Sequence, residues 1–130
     1  MDMIYWQNRI LTNVKNHVSD ICTNVVSTPN GKKPSFPALL VEVTSNTAIA
    51  EDFGGEENAV RCVVTIESYS KSSVNHAREL ITSADDAMRM MGFRRRQGPV
   101  EITNESLSDV FIIVARYTRV IGASETIPLL

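Results

Sequence analysis

Residues 109–121 read DVFIIVARYTRVI, and the alternation within this stretch decides the architecture. In an extended strand successive side chains point to opposite faces. Val110, Ile112 and Val114 therefore share one face, and Phe111, Ile113 and Ala115 the other. A strand that is apolar on both sides needs a cover on both sides. At about 3.3 Å per residue it reaches roughly 43 Å.

The neighbouring segments say what supplies one of those covers. Thr103 to Ser108 reads as a turn or short helix, and Phe93 to Ile102 as a strand broken at Gly98-Pro99. Before it, Ser73 to Met91 has helical periodicity. Val74, Ile81, Met88, Ala77, Ala84, Met91, Leu80 and Ala87 fall within a stripe of about 140°. Ser72 or Ser73 stands at the N-cap, and Gly92 where a helix-terminating glycine belongs. This helix is about 28 Å long, so part of the last strand overhangs the helical layer.

Upstream, Ala59 to Ser70 is a strand with Val60, Cys62, Val64 and Ile66 on one face. A polar, acidic loop over Ser45 to Asn58 precedes it, and before that comes a Val/Leu-rich strand, Phe36 to Thr44. The chain opens with a helix predicted over Met3 to Val26. Met3, Ile4, Ile10, Leu11, Val14, Val18, Ile21, Cys22 and Val25 line one stripe, with Gln7 its one polar member. Asp2 is the predicted N-cap, and Ser27-Thr28-Pro29-Asn30-Gly31 the stop.

The order α-β-β-α-β-β predicts a single α+β domain over residues 1–130, with 122–130 as a C-terminal tail. Two helices pack on one face of a four-stranded, mainly antiparallel sheet. The other face has no cover within the chain, and a second copy is the simplest candidate.

Composition narrows the function. A chain of 130 residues accommodates one ordinary domain, and 43% hydrophobic with 22% charged residues excludes wholesale disorder. The net charge of −2 lacks the basic excess of a dedicated nucleic-acid binder. No apolar run is long enough to span a bilayer, and the N-terminus has no signal-peptide pattern, so synthesis in the cytosol is expected.

Chemistry-bearing patterns are sparse. His17 and His76 sit at the edges of different helical stripes, and Cys22 and Cys62 within apolar faces. Their spacings match no metal or thiol motif, and neither a nucleophile elbow nor a phosphate-binding glycine loop occurs. Asp85-Asp86 reads as part of a solvated helix face. No catalytic residue, cofactor or metal is expected, and the chain is not read as an enzyme. Two charge clusters stand out: Glu51, Asp52, Glu56 and Glu57 in the acidic loop, and Arg94-Arg95-Arg96. Strand alternation sends Arg94 and Arg96 to one side and Arg95 to the other. An alternative reading is a small cytosolic nucleic-acid-binding module, with the arginines on phosphates and Phe93 stacked on a base.

Three segments carry a resemblance: Ile66-Glu67-Ser68-Tyr69-Ser70, the amphipathic helix ending Met90-Met91-Gly92-Phe93-Arg94, and Val114-Ala115-Arg116-Tyr117. In element order from Met1 to Ile121 the chain resembles the tail terminator (tail-completion, neck) proteins of long-tailed bacteriophages. The resemblance implies a structural virion protein, assembled in the host cytoplasm. It would form a ring, typically a hexamer, that caps the tail tube and joins it to a head-side connector. DNA would pass through the lumen without being read, and no membrane is involved. The expected subunit interface comprises Glu51, Asp52, Glu56 and Glu57 against Arg94, Arg95 or Arg96, together with Val110, Ile112 and Val114.

Overall fold

The computed structural model describes residues 3–27, 35–51, 57–103 and 109–130. The elements are α1 (Gln7–His17), β1 (Val25–Val26), β2 (Ala38–Glu51), β3 (Glu57–Ser70), α2 (Val74–Met90), β4 (Arg94–Ile102) and β5 (Phe111–Gly122). The α+β class holds. The sheet has five strands rather than four, in the order β1-β2-β3-β5-β4. The extra strand, β1, runs parallel to β2, and the other pairs are antiparallel.

That strand replaces the end of the predicted first helix. After His17 the backbone turns, and Val25 and Val26 pair with Leu39 and Leu40. β-Branched valines suit a pleated surface better than a helix interior, and Leu39 N–H donates to Asn24 O at 3.0 Å. The burial pattern survived the change of conformation: Val18, Cys22 and Val25 are all buried. Met3 and Ile21, placed in the same stripe, are exposed. Trp6, without a side-chain cap, occupies the N-cap of α1, while Asp2 and the 28–31 stop lie outside the described residues.

α2 follows its expected course. Ser73 Oγ accepts from His76 N–H at 3.0 Å, and Gly92 leaves the helix with φ of +81°. Such a cap contributes about 1 kcal/mol. Ser73→Ala should therefore lower the unfolding free energy by about 1 kcal/mol, read as a lower urea midpoint at an unchanged slope.

Both helices cover one face. Leu39 and Val41 of β2, Val60, Cys62, Val64 and Ile66 of β3, and Ile113, Ala115, Tyr117 and Ile121 of β5 join Ile10 and Val14 of α1 and Leu80, Ile81, Ala84 and Met88 of α2. Beyond Val43, no described side chain of β2 belongs to this core. The strand nevertheless continues to Glu51, so most of the expected 45–58 loop is a paired hairpin. Register shifts after Val43 and Ala48 mark bulges that keep it twisting. The hairpin extends past the helical layer; residues 52–56 and the turn over 104–108 lie outside the described residues.

The expected free tail is docked. Ile127 is wholly buried in the core. Arg9 Nη1 donates to Ile127 O at 2.9 Å, and Asn13 Nδ2 to Pro128 O at 2.8 Å. Asn13 Oδ1 in turn accepts from Leu130 N–H at 2.9 Å. Both ends of this buried amide are thus satisfied by tail backbone.

Candidate functional site

The strand registers map the face turned away from the helices. Its rows are Ala38–Tyr69–Ile112–Ile102, Leu40–Glu67–Val114–Val100 and Glu42–Thr65–Arg116–Gln97, followed by Ser45–Val63–Thr118–Arg94 and Thr47–Arg61–Val120. No described helix lies across the rows. Phe36, just before β2, packs on Tyr69 with ring centroids 6.4 Å apart, and Lys71 Nζ lies 5.2 Å from the centroid of the Phe36 ring. The Tyr69 end of the first row is thus in contact with a connecting segment. Ile112, Val114, Val100 and Ile102 make an apolar corner. Charged Glu42, Glu67, Arg61, Arg94 and Arg116 occupy the rest. A depression of about 250 Å³, lined by Thr65, Glu67, Gln97, Val100, Ile102, Val114 and Arg116, runs between the two parts.

Ile112 and Val114 face away from the helices, but they are unequal. Ile112, flanked by Tyr69 and Ile102, is 2% exposed, and Val110 9%. Their apolar surface is used within the monomer, so they are not the free interface residues expected. The available surface belongs to Val100, 52% exposed, Ile102, 40%, and half-buried Val114. Val100 and Ile102 went unread because they sit in a strand that is otherwise arginine, glutamine, glycine and proline.

Both edges of the sheet are blunted over part of their length. On the β2 side Gln7 acts as a surrogate strand: its Nε2 donates to Val41 O at 3.2 Å and its Oε1 accepts from Val43 N–H at 2.7 Å. This accounts for the one polar residue in the α1 stripe. Asn46 Nδ2 donates to Ile4 O at 2.8 Å just beyond. On the β4 side, Arg95 pairs with Tyr117 and Gln97 with Arg116, leaving Arg96 as a bulge. Gly98 has φ of +85°, and a Cβ there would lie 2.3 Å from Val114 O. Pro99 carries no N–H. Arginines, a bulge and a proline are how natural proteins blunt a strand edge.

The bulge also corrects the expected split of the arginines. Arg94, opposite Thr118, lies on the uncovered face, and Gln97 takes the place alternation assigned to Arg96. Arg95 turns to the helices, where its Nη1 is 3.2 Å from Asp85 Oδ1. Asp85 is not part of a solvated face. It is 8% exposed, and it also accepts from Tyr117 Oη at 2.8 Å and Arg89 Nε at 2.7 Å. On a helical wheel it stands about 20° beyond Val74, at the margin of the apolar stripe; Asp86 is exposed as read. Burial and the Asp85 hydrogen bond push the Tyr117 hydroxyl far above its ordinary range.

Phe93 is 2% exposed and belongs to the core, so it cannot stack on a base. Of the acidic cluster, Glu51 and Glu57 pair through their backbones. Their side chains, and all of Asp52 and Glu56, lie outside the described residues.

His76 Nδ1 and Ser70 Oγ are 2.6 Å apart, but Ser70 is wholly buried and reaches no substrate. Among the described residues no three His, Cys, Asp or Glu side chains gather into a metal site. Cys22 and Cys62 are buried free thiols, and burial pushes Cys62 up to about 11. Thiolate is the reactive form. A maleimide should therefore label both cysteines only as fast as the protein unfolds; rapid labelling of native protein would contradict this packing.

The chain matches no model of a known protein family and no curated protein.

Proposed function

We propose that the chain is a structural, non-enzymatic subunit that closes into a ring, of the tail-terminator type its sequence resembles. The observation that carries this reading is a sheet blunted along its edges while one face, with an exposed apolar corner, has no described helix across it. Edge blunting disfavours growth by strand addition, which leaves the face as the surface on which a second copy docks.

A cyclic ring needs two different, complementary patches on each copy. One is the corner formed by Val100, Ile102 and Val114. The other is the end of β2, which carries Ile49, 42% exposed, next in sequence to the acidic Glu51, Asp52, Glu56 and Glu57. Between Ala38 and Val60 the chain has no basic residue. The hairpin of one subunit reaching Arg96 and the corner of the next supplies both apolar contact and opposite charge. Exposed ion pairs contribute only about 0–1 kcal/mol each, so the charges set register more than affinity.

In this reading the ring, six copies by the resemblance, caps a tail tube within the virion and offers its far side to a head-side connector. DNA passes through the lumen without sequence-specific contact. Negative-stain imaging of the purified chain, alone and with tail tubes, tests it. Closed rings, or rings seated at one tube end, are expected; single chains in both samples would refute the proposal.

The nucleic-acid module loses its stacking residue with the burial of Phe93, and only its arginines remain to be explained.

A further inference from the structure

α1 carries two side chains that address a backbone rather than another side chain. Arg9 Nη1 donates to Ile127 O at 2.9 Å, and Asn13 Nδ2 to Pro128 O at 2.8 Å. Asn13 Oδ1 accepts from Leu130 N–H at 2.9 Å. Residues four apart are neighbours on one face of a helix, so Arg9 and Asn13 form a short ladder along which an extended segment lies. Asn13 is wholly buried, as are Ile10 and Val14. Ile127 joins the same buried cluster as Ile10 and Val14, and half-buried Leu130 packs against it. The groove so formed asks two things of its occupant: backbone groups at three positions and one apolar side chain.

The tail is held lightly for a segment that fills a core position. Of residues 123–130 only Ile127 is buried, and 123–126 are exposed. Its path away from β5 is set by a latch at the surface. Glu125 Oε2 accepts from Arg119 Nη2 at 2.9 Å, and Oε1 from Gly122 N–H at 2.8 Å. Opening this segment uncovers one wholly buried side chain, so it costs far less than unfolding the domain. Every group the groove engages belongs to residues 127–130, and a second copy carries the same residues. Complementarity is identical whichever copy supplies them, which is the condition for exchanging an element between copies.

We propose that the α1 groove is a docking site for an extended segment, filled in the single chain by its own residues 127–130 and in an assembly by those of a neighbouring copy. Arg9 and Asn13 read the backbone, and the core position of Ile127 reads one apolar side chain. The freed span from Gly122 to Ile127 reaches at most about 18 Å, so exchange joins only copies packed side by side. The proposal stands apart from the sheet-face contact, because none of Val100, Ile102 and Val114 takes part.

The test uses the full chain carrying V100K, which removes the sheet-face contact, and a fluorescent peptide of residues 123–130 followed by anisotropy. In that chain the tail competes with the peptide. E125A removes the latch, an exposed ion pair worth a factor of about five. Apparent peptide affinity should rise by that factor, through a larger open fraction. I127S, checked by far-UV dichroism and cooperative melting, should bind the peptide more tightly still. Adding N13L to it should abolish binding, as should serine for Ile127 in the peptide. Exchange between copies is read by native mass. The I127S chain has an open groove and a disabled tail, and the N13L chain an intact tail and a disabled groove. Their mixture should give a heterodimer that neither gives alone. No saturable peptide binding to either E125A or I127S overturns the proposal, and so does equal binding with N13L added. Peptide binding with no heterodimer in the mixture also overturns it, because the tail would then serve only its own chain.

Discussion

Lysine in place of Ile113 is expected to leave no folded protein. Ile113 is 1% exposed and faces the helices from β5, in the row of buried Ser68. An unpaired ammonium there costs several kcal/mol, against a total stability of about 5–15 kcal/mol for an ordinary domain. One position along the strand the side chain points to the opposite face, and two strand positions on the bare side give contrasting controls. V100K sits on exposed surface, so its far-UV dichroism and melting should match the parent while self-association is lost. I112K faces the same bare side but starts from 2% exposure, and it should behave like I113K. If I113K and V100K melt alike, the assignment of the two faces is wrong.

Asp85→Ala should cost about 3 kcal/mol, read from urea denaturation. Removing one partner of a buried ion pair costs about 3–5 kcal/mol. The lower end applies because the Arg89 side chain is 62% exposed and the Arg95 side chain 35%. Much of the loss comes from the Tyr117 hydroxyl, which is left buried without an acceptor. Tyr117→Phe should therefore cost less, about 1 kcal/mol, because Asp85 keeps both arginines. A loss below 0.5 kcal/mol for Asp85→Ala would mean that water replaces the carboxylate.

These two predictions rest on features of unequal visibility in the sequence. The helix over Val74–Met90 was legible because a cap, a stripe and a terminating glycine agree. The two-faced last strand was legible from its unbroken apolar run, which puts apolar side chains on both faces. Val25 and Val26 were not. Over a few residues at a helix end, an apolar pattern reports burial without distinguishing a helix from a turn leading into a strand. The strand over Ser45–Glu51 was hidden by polar residues that still pair across bulges.

The charged groups were hardest to place, since their roles depend on tertiary partners. Asp85 lies one residue from solvated Asp86, and its burial is made tolerable by Arg89 one turn on together with Arg95 and Tyr117, which are farther away in sequence. The arginine triplet alternates as a strand should until the bulge at Arg96, which no propensity marks. Gln7 looked like an intruder in an apolar stripe, yet its amide closes a sheet edge. The tail over Ala123–Leu130 carries no periodic pattern, and its docking depends on Asn13, Arg9 and the burial of Ile127.

The central claim is that copies of the chain meet through the bare sheet face. Its most direct test is the native mass of the assembled species, measured for the parent and for V100K at matched concentration, with and without tail tubes. The claim predicts one discrete closed species of six chains for the parent, alone or on the tube, and a folded monomer for V100K. A monomeric parent under both conditions, or V100K assembling as the parent does, would contradict it.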